Sequence, residues 1–119
     1  ADIYGHRLDA WCGALGADFP IASAAGSQIT PAVAYDTTLL QFLVVWSDNR
    51  NYAPPLFTDK GDIYAQLVSL DGTLDGANLV ISTANGTEVL PAVAYNPVSA
   101  RYLVLWSKGG DIYARGYWP

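Results

Sequence analysis

The pentapeptide Pro-Ala-Val-Ala-Tyr at residues 31–35 recurs unchanged at residues 91–95. Other segments recur at the same spacing of 60 residues. Asp-Ile-Tyr stands at 2–4 and again at 62–64, and Leu-Val-Val-Trp-Ser at 43–47 is matched by Leu-Val-Leu-Trp-Ser at 103–107. A period of this length lies at the upper edge of those of solenoids, propellers and arrays, in which a unit covers its apolar face with a neighbouring unit. The chain is therefore predicted to consist of stacked structural repeats.

Each repeat predicts four β-strands, because its apolar runs are short, rich in β-branched and aromatic residues, and bounded by Gly, Pro, Asn and Asp. In predicted spatial order they are the pentapeptide, which the proline starts; residues 41–46 or 101–106; the strand that begins at Asp-Ile-Tyr; and the strand that contains residues 19–21 or 79–81. No segment has the length and period of a helix. We expect an all-β protein.

Two kinds of connection are predicted between these strands. Asp71-Gly72 indicates a two-residue hairpin turn between the third and fourth strands, and Trp11-Cys12 occupies the same place one repeat earlier. Between the second and third strands, residues 48–61 form a long excursion, whereas the later repeat has only Lys108-Gly109-Gly110. Length differences of this kind fall on surface loops.

A four-stranded unit that is apolar on both faces and repeats along the chain is typical of a β-propeller blade. The motifs Pro-Ala-Val-Ala-Tyr, Leu-Val-Val-Trp-Ser-Asp-Asn-Arg at 43–50 and Asp-Ile-Tyr-Ala at 62–65 resemble the blade repeats of secreted bacterial and archaeal propeller proteins. They are similar also to TolB-like and sialidase-like propellers. The resemblance covers nearly the whole chain and implies a blade architecture, but it implies no particular activity.

Counted in order, the strand types predict a single domain, 1–119, of two propeller-type repeats: a half-blade at 1–30, a complete blade at 31–82 and an incomplete blade at 91–119. The half-blade has the third and fourth strands, and the incomplete blade has the first, second and third. We expect two four-stranded antiparallel blades per chain, completed by strands from neighbouring subunits in a ring or a filament. The alternative is a section of a longer propeller.

This hypothesis places the contact between subunits on the strands at the two ends of the chain. Aromatic residues that have no counterpart in the other repeat are the strongest candidates, because blade packing does not require them and Trp and Tyr are enriched in protein interfaces. The predicted subunit-interface residues are Asp2, Ile3, Tyr4, Trp11, Phe19, Ile21, Ile112, Tyr113, Tyr117 and Trp118.

Composition excludes some partners. The formal charge of −5, with six scattered Lys and Arg residues, provides no basic patch for nucleic acid. No apolar run approaches the roughly 18 residues of a membrane-spanning helix, so membrane insertion is not expected. The single cysteine, Cys12, excludes an internal disulfide framework. A composition rich in Tyr, Trp, Gly and Asp but poor in Lys favours an extracellular or cell-surface location.

Candidate chemical sites are few. The only histidine, His6, lies on a strand and is expected to face water, and no catalytic residues are predicted, because one histidine without a nucleophile motif supports no triad. Asp48, Asp59 and Asp62 in the long excursion are weak calcium candidates, since carboxylates are calcium ligands, but they lack the spacing of a calcium loop. We expect no cofactor other than a possible calcium ion.

Three functional hypotheses follow. The first is a non-enzymatic, extracellular, self-assembling propeller-repeat protein whose partner is itself. The second is a lectin-like module that binds glycans through Trp11, Tyr52 and Phe57, because aromatic rings stack on sugars. The third is a fragment of a glycoside-hydrolase-type propeller, which would need a cleft formed between subunits.

Overall fold

A computed structural model describes residues 1–52 and 61–119, which form nine β-strands and no helix. The strands are β1 (Ile3–Leu8), β2 (Ala14–Ala22), β3 (Gln28–Asp36), β4 (Gln41–Asp48), β5 (Asp62–Ser69), β6 (Leu74–Ser82), β7 (Glu88–Asn96), β8 (Arg101–Lys108) and β9 (Asp111–Tyr117). Every paired neighbour is antiparallel. The all-β prediction is confirmed.

The strands form three sheets, each ordered as in the sequence. The first sheet is β1-β2, the central sheet is β3-β4-β5-β6 and the third sheet is β7-β8-β9. Residues 1–52 and 61–119 therefore form one four-stranded sheet, not two. Within these residues, the first sheet contains only a hairpin of the third and fourth strand types, and the third sheet contains no strand of the fourth type.

The central sheet lies between the other two because both of its faces are apolar. On one face, Val44, Trp46, Tyr64 and Val68 pack with Ile3, Ile21 and Ala22 of the first sheet. On the other face, Leu43, Val45, Ile63 and Ala65 pack with Tyr102, Val104 and Trp106 of the third sheet. Successive side chains of a strand point to opposite faces, so the nearly continuous apolar run of β4 serves both clusters.

The repeated proline does not start its strand. β3 and β7 begin three residues earlier, at Gln28 and Glu88, and the pairing with the next strand shifts across the proline and the residue before it. The residues that precede the two prolines, Thr30 and Leu90, have positive φ angles of 53° and 54°. A bulge at this point leaves the proline outside the hydrogen-bond ladder, so a residue without an N–H is tolerated inside the strand.

The turn predicted at Asp71-Gly72 is also different. The Ser69 N–H donates to the Thr73 carbonyl and the Gly72 N–H to the Ser69 carbonyl, so the loop has three residues and ends with Gly72 at φ 87°. A type I turn followed by a left-handed residue is the usual form of a three-residue hairpin. In the first sheet Cys12 takes the position of Gly72, at φ 63°.

No helix within residues 1–52 and 61–119 is long and apolar enough to cross a membrane.

Candidate functional site

The outward side of the third sheet is an exposed apolar surface. Residues of β7 to β9 that alternate with the buried ones make up this outer face, and they are Ala92, Ala94, Leu103, Leu105, Ile112 and Ala114. Leu103 is 46% exposed and Ile112 is 72% exposed, whereas their equivalents in the central sheet, Leu43 and Ile63, are 0% exposed. The difference arises because the third sheet covers the central sheet, and no described residue covers the third sheet.

The opposite end of the molecule has a groove along β1. Its volume is about 580 Å³, and its apolar lining includes Ile3, Val33, Phe42, Val44 and Val68. The described residues provide no first and second strands for the first sheet, so the groove occupies the space where those strands would pack in a complete unit. Val33 is consequently 59% exposed, whereas its equivalent Val93 is packed against the core. The side of β1 that does not pair with β2 forms one edge of this groove.

The groove and the outer face are the two halves of an interface that the molecule already contains once. Between the central and third sheets, Ala32, Ala34 and Leu43 meet Val93, Tyr95 and Tyr102. The outer face repeats the first set as Ala92, Ala94 and Leu103, and the groove side repeats the second as Val33, Tyr35 and Phe42. Even the ring pairs match, with centroids 5.0 Å apart for Tyr35 and Phe42 and 5.2 Å apart for Tyr95 and Tyr102.

Polar contacts link each sheet to the last strand of the sheet before it. Asn78 Nδ2 approaches the Ile21 carbonyl at 3.4 Å, and Arg115 Nη1 donates to the Ile81 carbonyl at 2.6 Å. Ile21 and Ile81 are equivalent positions of the repeat. Asn78 also donates to Gln66 Oε1 at 2.8 Å, so the buried Gln66 is held in place.

His6 and Asp18 form a hydrogen-bonded pair at the positions equivalent to Gln66 and Asn78. This pair is exposed to water, because none of the described sheets packs on the outward side of the first sheet. The prediction that His6 is a polar strand residue facing water agrees with this position, and Asp18 is a partner that the sequence pattern did not indicate.

Asp48 and Arg50 form an ion pair whose carboxylate is fully buried. Arg50 donates from Nε to Asp48 Oδ1 at 2.9 Å and from Nη2 to Oδ2 at 2.6 Å, and the Trp46 indole N–H donates to Oδ2 at 2.8 Å. Burial alone would raise the pKa of Asp48, but the hydrogen bonds from Arg50 and Trp46 and the guanidinium charge hold it below its ordinary value. The Arg50 guanidinium also lies 4.0 Å from the centroid of the Tyr64 ring.

Of the calcium candidates, Asp48 and Asp62 lie opposite each other on β4 and β5, and hydrogen bonds engage both carboxylates. The Asp48 carboxylate is occupied by Arg50 and Trp46, and Asp62 Oδ2 accepts a hydrogen bond from Asn51 at 2.8 Å. Asp59 lies outside the described residues. Among residues 1–52 and 61–119 there is no group of three or more His, Cys, Asp or Glu side chains placed to hold a metal ion.

Two of the glycan candidates, Trp11 and Tyr52, are separated. Trp11 is 92% exposed and lies in the β1–β2 turn, which corresponds to the β5–β6 turn at one end of β5. Tyr52 follows β4 and lies in the connection to the other end of β5. The repeat thus places these two rings at opposite ends of the sheets, and Phe57 lies outside the described residues.

The predicted subunit-interface residues divide into two groups. Ile3 and Ile21 are 4% and 7% exposed inside the chain's own core, Phe19 packs against the same cluster, and Tyr117 packs against the other one. These four side chains are therefore already covered. The remaining residues, Asp2, Tyr4, Trp11, Ile112, Tyr113 and Trp118, are exposed.

Val33, Leu103 and Ala94 are surface residues that the sequence motifs did not indicate. They lie in a repeated unit that is apolar on both faces, and the strand count was the signal that could have found them. Where a repeat has no neighbour on one side, its repeated apolar positions on that side face outward.

Comparison of the chain with models of known families, with curated proteins and with solved structures found no match to any of them.

Proposed function

We propose that this chain is a structural, non-enzymatic protein whose copies assemble head to tail, so that the outer face of one copy packs at the groove of the next. In the assembly each chain contributes two four-stranded propeller-type blades, completed by strands from its neighbours. The assembly is extracellular or lies on the cell surface, the location that the composition favours. The observation that carries the proposal is the repeat relationship between outer face and groove.

The energetic argument concerns the exposed apolar area. A face of four strands of about five residues has a footprint of roughly 300 Å², from strand spacings of about 4.8 Å and residue rises of about 3.3 Å. At about 25 cal/mol per Å², covering such a face contributes at most several kcal/mol. Leu103 and Ile112, at 46% and 72% exposure, are the most exposed large apolar side chains on the outer face. Unpaired edges of β1 and β9 add to the tendency to associate.

Head-to-tail geometry follows from the chemistry of the two surfaces. The outer face carries small and aliphatic side chains, whereas the groove side carries Val33, Tyr35 and Phe42. The surfaces therefore differ, and each matches the other rather than itself. A heterologous contact of this kind generates a ring if the rotation closes and a filament if it does not.

The test is the mass of residues 1–119 in solution, measured by size-exclusion chromatography with light scattering over a hundredfold concentration range. We expect masses at multiples of 12.7 kDa that increase with concentration. Leu103→Asp should return the protein to the monomer, because it places a charge in the contact. Val98→Asp is the matched control, since Val98 is 95% exposed in the β7–β8 turn and outside both surfaces. A folded wild-type monomer at every concentration would refute the proposal.

A further inference from the structure

The groove has the shape of a missing hairpin. Its floor is Val33, Phe42 and Val44 of the central sheet, and the equivalents of these residues in the third sheet are Val93, Tyr102 and Val104. Those three are covered by β3 and β4 of the central sheet. By the repeat, the groove accommodates a hairpin of the β3–β4 type, and in a second copy the hairpin of that type with an exposed outer side is β7–β8.

A hairpin seated in the groove also lies beside β1. In the central sheet the second strand, β4, pairs with β5, which is the equivalent of β1. The β8 strand of the second copy would therefore pair with the free edge of β1. In the isolated chain that edge of β8 is occupied by its own β9, so the arrangement requires β1 of one copy to take the place of β9 of the other.

β9 is suited to leave. Its residues 111–115 are exposed, and Ile112 is 72% exposed where its equivalent Ile63 is 0% exposed. Gly116 takes the position that Leu67 has in β5, so β9 lacks one side chain that could pack on the core. A glycine in the interior of a strand also weakens that strand. β1, in contrast, brings β2 with it as an already paired hairpin.

The register of the exchanged pair follows from the central sheet. Asp48, Ser47 and Trp46 of β4 lie opposite Asp62, Ile63 and Tyr64 of β5. Transferred by the repeat, Lys108, Ser107 and Trp106 of one copy lie opposite Asp2, Ile3 and Tyr4 of the other. Lys108 opposite Asp2 is a favourable cross-strand pair of opposite charge, and β9 offers the equivalent pair with Asp111.

The area argument favours exchange over simple docking. Two faces of roughly 300 Å² give about 600 Å² in total, which is below the approximately 1,000 Å² that a stable specific interface needs. Strand pairing along β8 and filling of the 580 Å³ groove add buried surface that face-to-face docking leaves open. The exchange also completes a four-stranded sheet without leaving a free edge on β8.

We propose that copies of this chain assemble by strand exchange, in which the β1–β2 hairpin of one copy pairs along β8 of the next, displaces its β9 and accepts its β7–β8 hairpin in the groove. This inference rests on the proposed head-to-tail assembly and specifies how it forms. In the isolated chain β9 therefore occupies the edge of β8 to which β1 of a second copy binds in the assembly.

The experiment locks β9 in place. Ser107 and Ile112 lie opposite each other, next to the Lys108–Asp111 pair that closes the two-glycine turn. By the alternation of antiparallel ladders they form a non-hydrogen-bonded pair, whose close side chains suit a disulfide. The double variant Ser107→Cys with Ile112→Cys is made in a Cys12→Gly background, so that no other thiol is present, and circular dichroism verifies that oxidised and reduced forms are folded.

The control locks a pair that the exchange leaves intact. Leu8 and Ala14 lie opposite each other within the β1–β2 hairpin, next to the Asp9–Gly13 closing pair. Leu8→Cys with Ala14→Cys, in the same background, therefore introduces a disulfide of similar geometry into a hairpin that moves as one unit.

We expect the β8–β9 lock to be a 12.7 kDa monomer when oxidised and to assemble when reduced. The β1–β2 lock, whose Leu8 lines the groove, should assemble to the same extent in its oxidised and reduced states. Equal assembly of the oxidised and reduced β8–β9 lock would overturn the exchange and leave head-to-tail docking standing. Failure of the unlocked protein to assemble would instead overturn the proposed function itself.

Discussion

Arg50 holds both carboxylate oxygens of Asp48 while its guanidinium lies over the ring of Tyr64, so one side chain joins the end of β4 to β5. Nη2 of the same residue reaches Asn78 Oδ1 at 3.1 Å on β6. Three strands of the central sheet are thus connected through a single cation, and that cation is the partner of a carboxylate with no exposed surface.

Replacing Arg50 by Ala should lower the free energy of unfolding by about 3 kcal/mol, because a buried carboxylate loses its charge partner. Urea denaturation measures the change. Arg101→Ala is the matched control, since Arg101 is exposed and its guanidinium stacks on Trp118 at 4.4 Å; it should cost less than about 1 kcal/mol. Equal losses in the two variants would contradict the assigned role of Arg50.

The same pair predicts an acid transition. The pKa of Asp48 is lower in the folded protein than its ordinary value, so the stability it contributes is present above the unfolded-state pKa and is lost as pH falls through the folded-state pKa. Urea midpoints measured from pH 7 down to pH 2 should therefore decrease below about pH 4, near the ordinary pKa of aspartate. In Arg50→Ala the decrease should be smaller, because the pKa is no longer held down by the guanidinium. An unchanged pH profile in that variant would argue against the assignment.

Cys12 and Gly72 share one turn position and both have positive φ. Cys12→Gly should raise the free energy of unfolding by about 0.5 to 1 kcal/mol, because glycine removes the steric cost of the left-handed conformation. Gly72→Ala should have the opposite sign, since its added Cβ would also lie 3.0 Å from Arg7 Cδ. Thermal unfolding of the two variants against wild type is the measurement, and a loss of stability in Cys12→Gly would show that the thiol itself contributes to the turn.

The two assembly surfaces can be inactivated one at a time. Val33→Asp places a charge on the groove floor, and Leu103→Asp places one on the outer face. Each variant alone should be monomeric, while an equimolar mixture should form pairs and no larger species, since one competent surface of each kind remains. Light scattering and native mass spectrometry distinguish these outcomes. A mixture that remains monomeric, or a single variant that still assembles fully, would be inconsistent with a head-to-tail contact.

The strand types and their order were predictable from the sequence, because the hydrophobic period and the turn residues are local signals and each occurs in both repeats. The bulges before Pro31 and Pro91 were not, since Thr30 and Leu90 are ordinary strand residues and give no sign of a positive φ. Local sequence also does not determine burial. The isoleucine of Asp-Ile-Tyr is 4% exposed in β1, 0% in β5 and 72% in β9.

These three isoleucines explain why the candidate site was only partly predicted. The tripeptide is the same at each position, and what differs is whether a sheet lies on the side to which the isoleucine points. Aromatic residues such as Trp11 were predicted as interface residues because they have no counterpart in the other repeat. The outer face, in contrast, consists of residues that are ordinary for a core. Whether the outer face is buried or exposed depends on which sheets pack against it, and a short segment of sequence does not contain that information.

The polar contacts from Asn78 to Ile21 and from Arg115 to Ile81 join only adjacent sheets. Cooperativity in this molecule is therefore a nearest-neighbour property, as in a one-dimensional row of coupled units. The central sheet, coupled on both sides, should exchange its amide hydrogens most slowly, and the two outer sheets should open first. Every copy that joins the row converts an end unit into an interior one, so longer assemblies become more resistant to local unfolding at every position except their two ends.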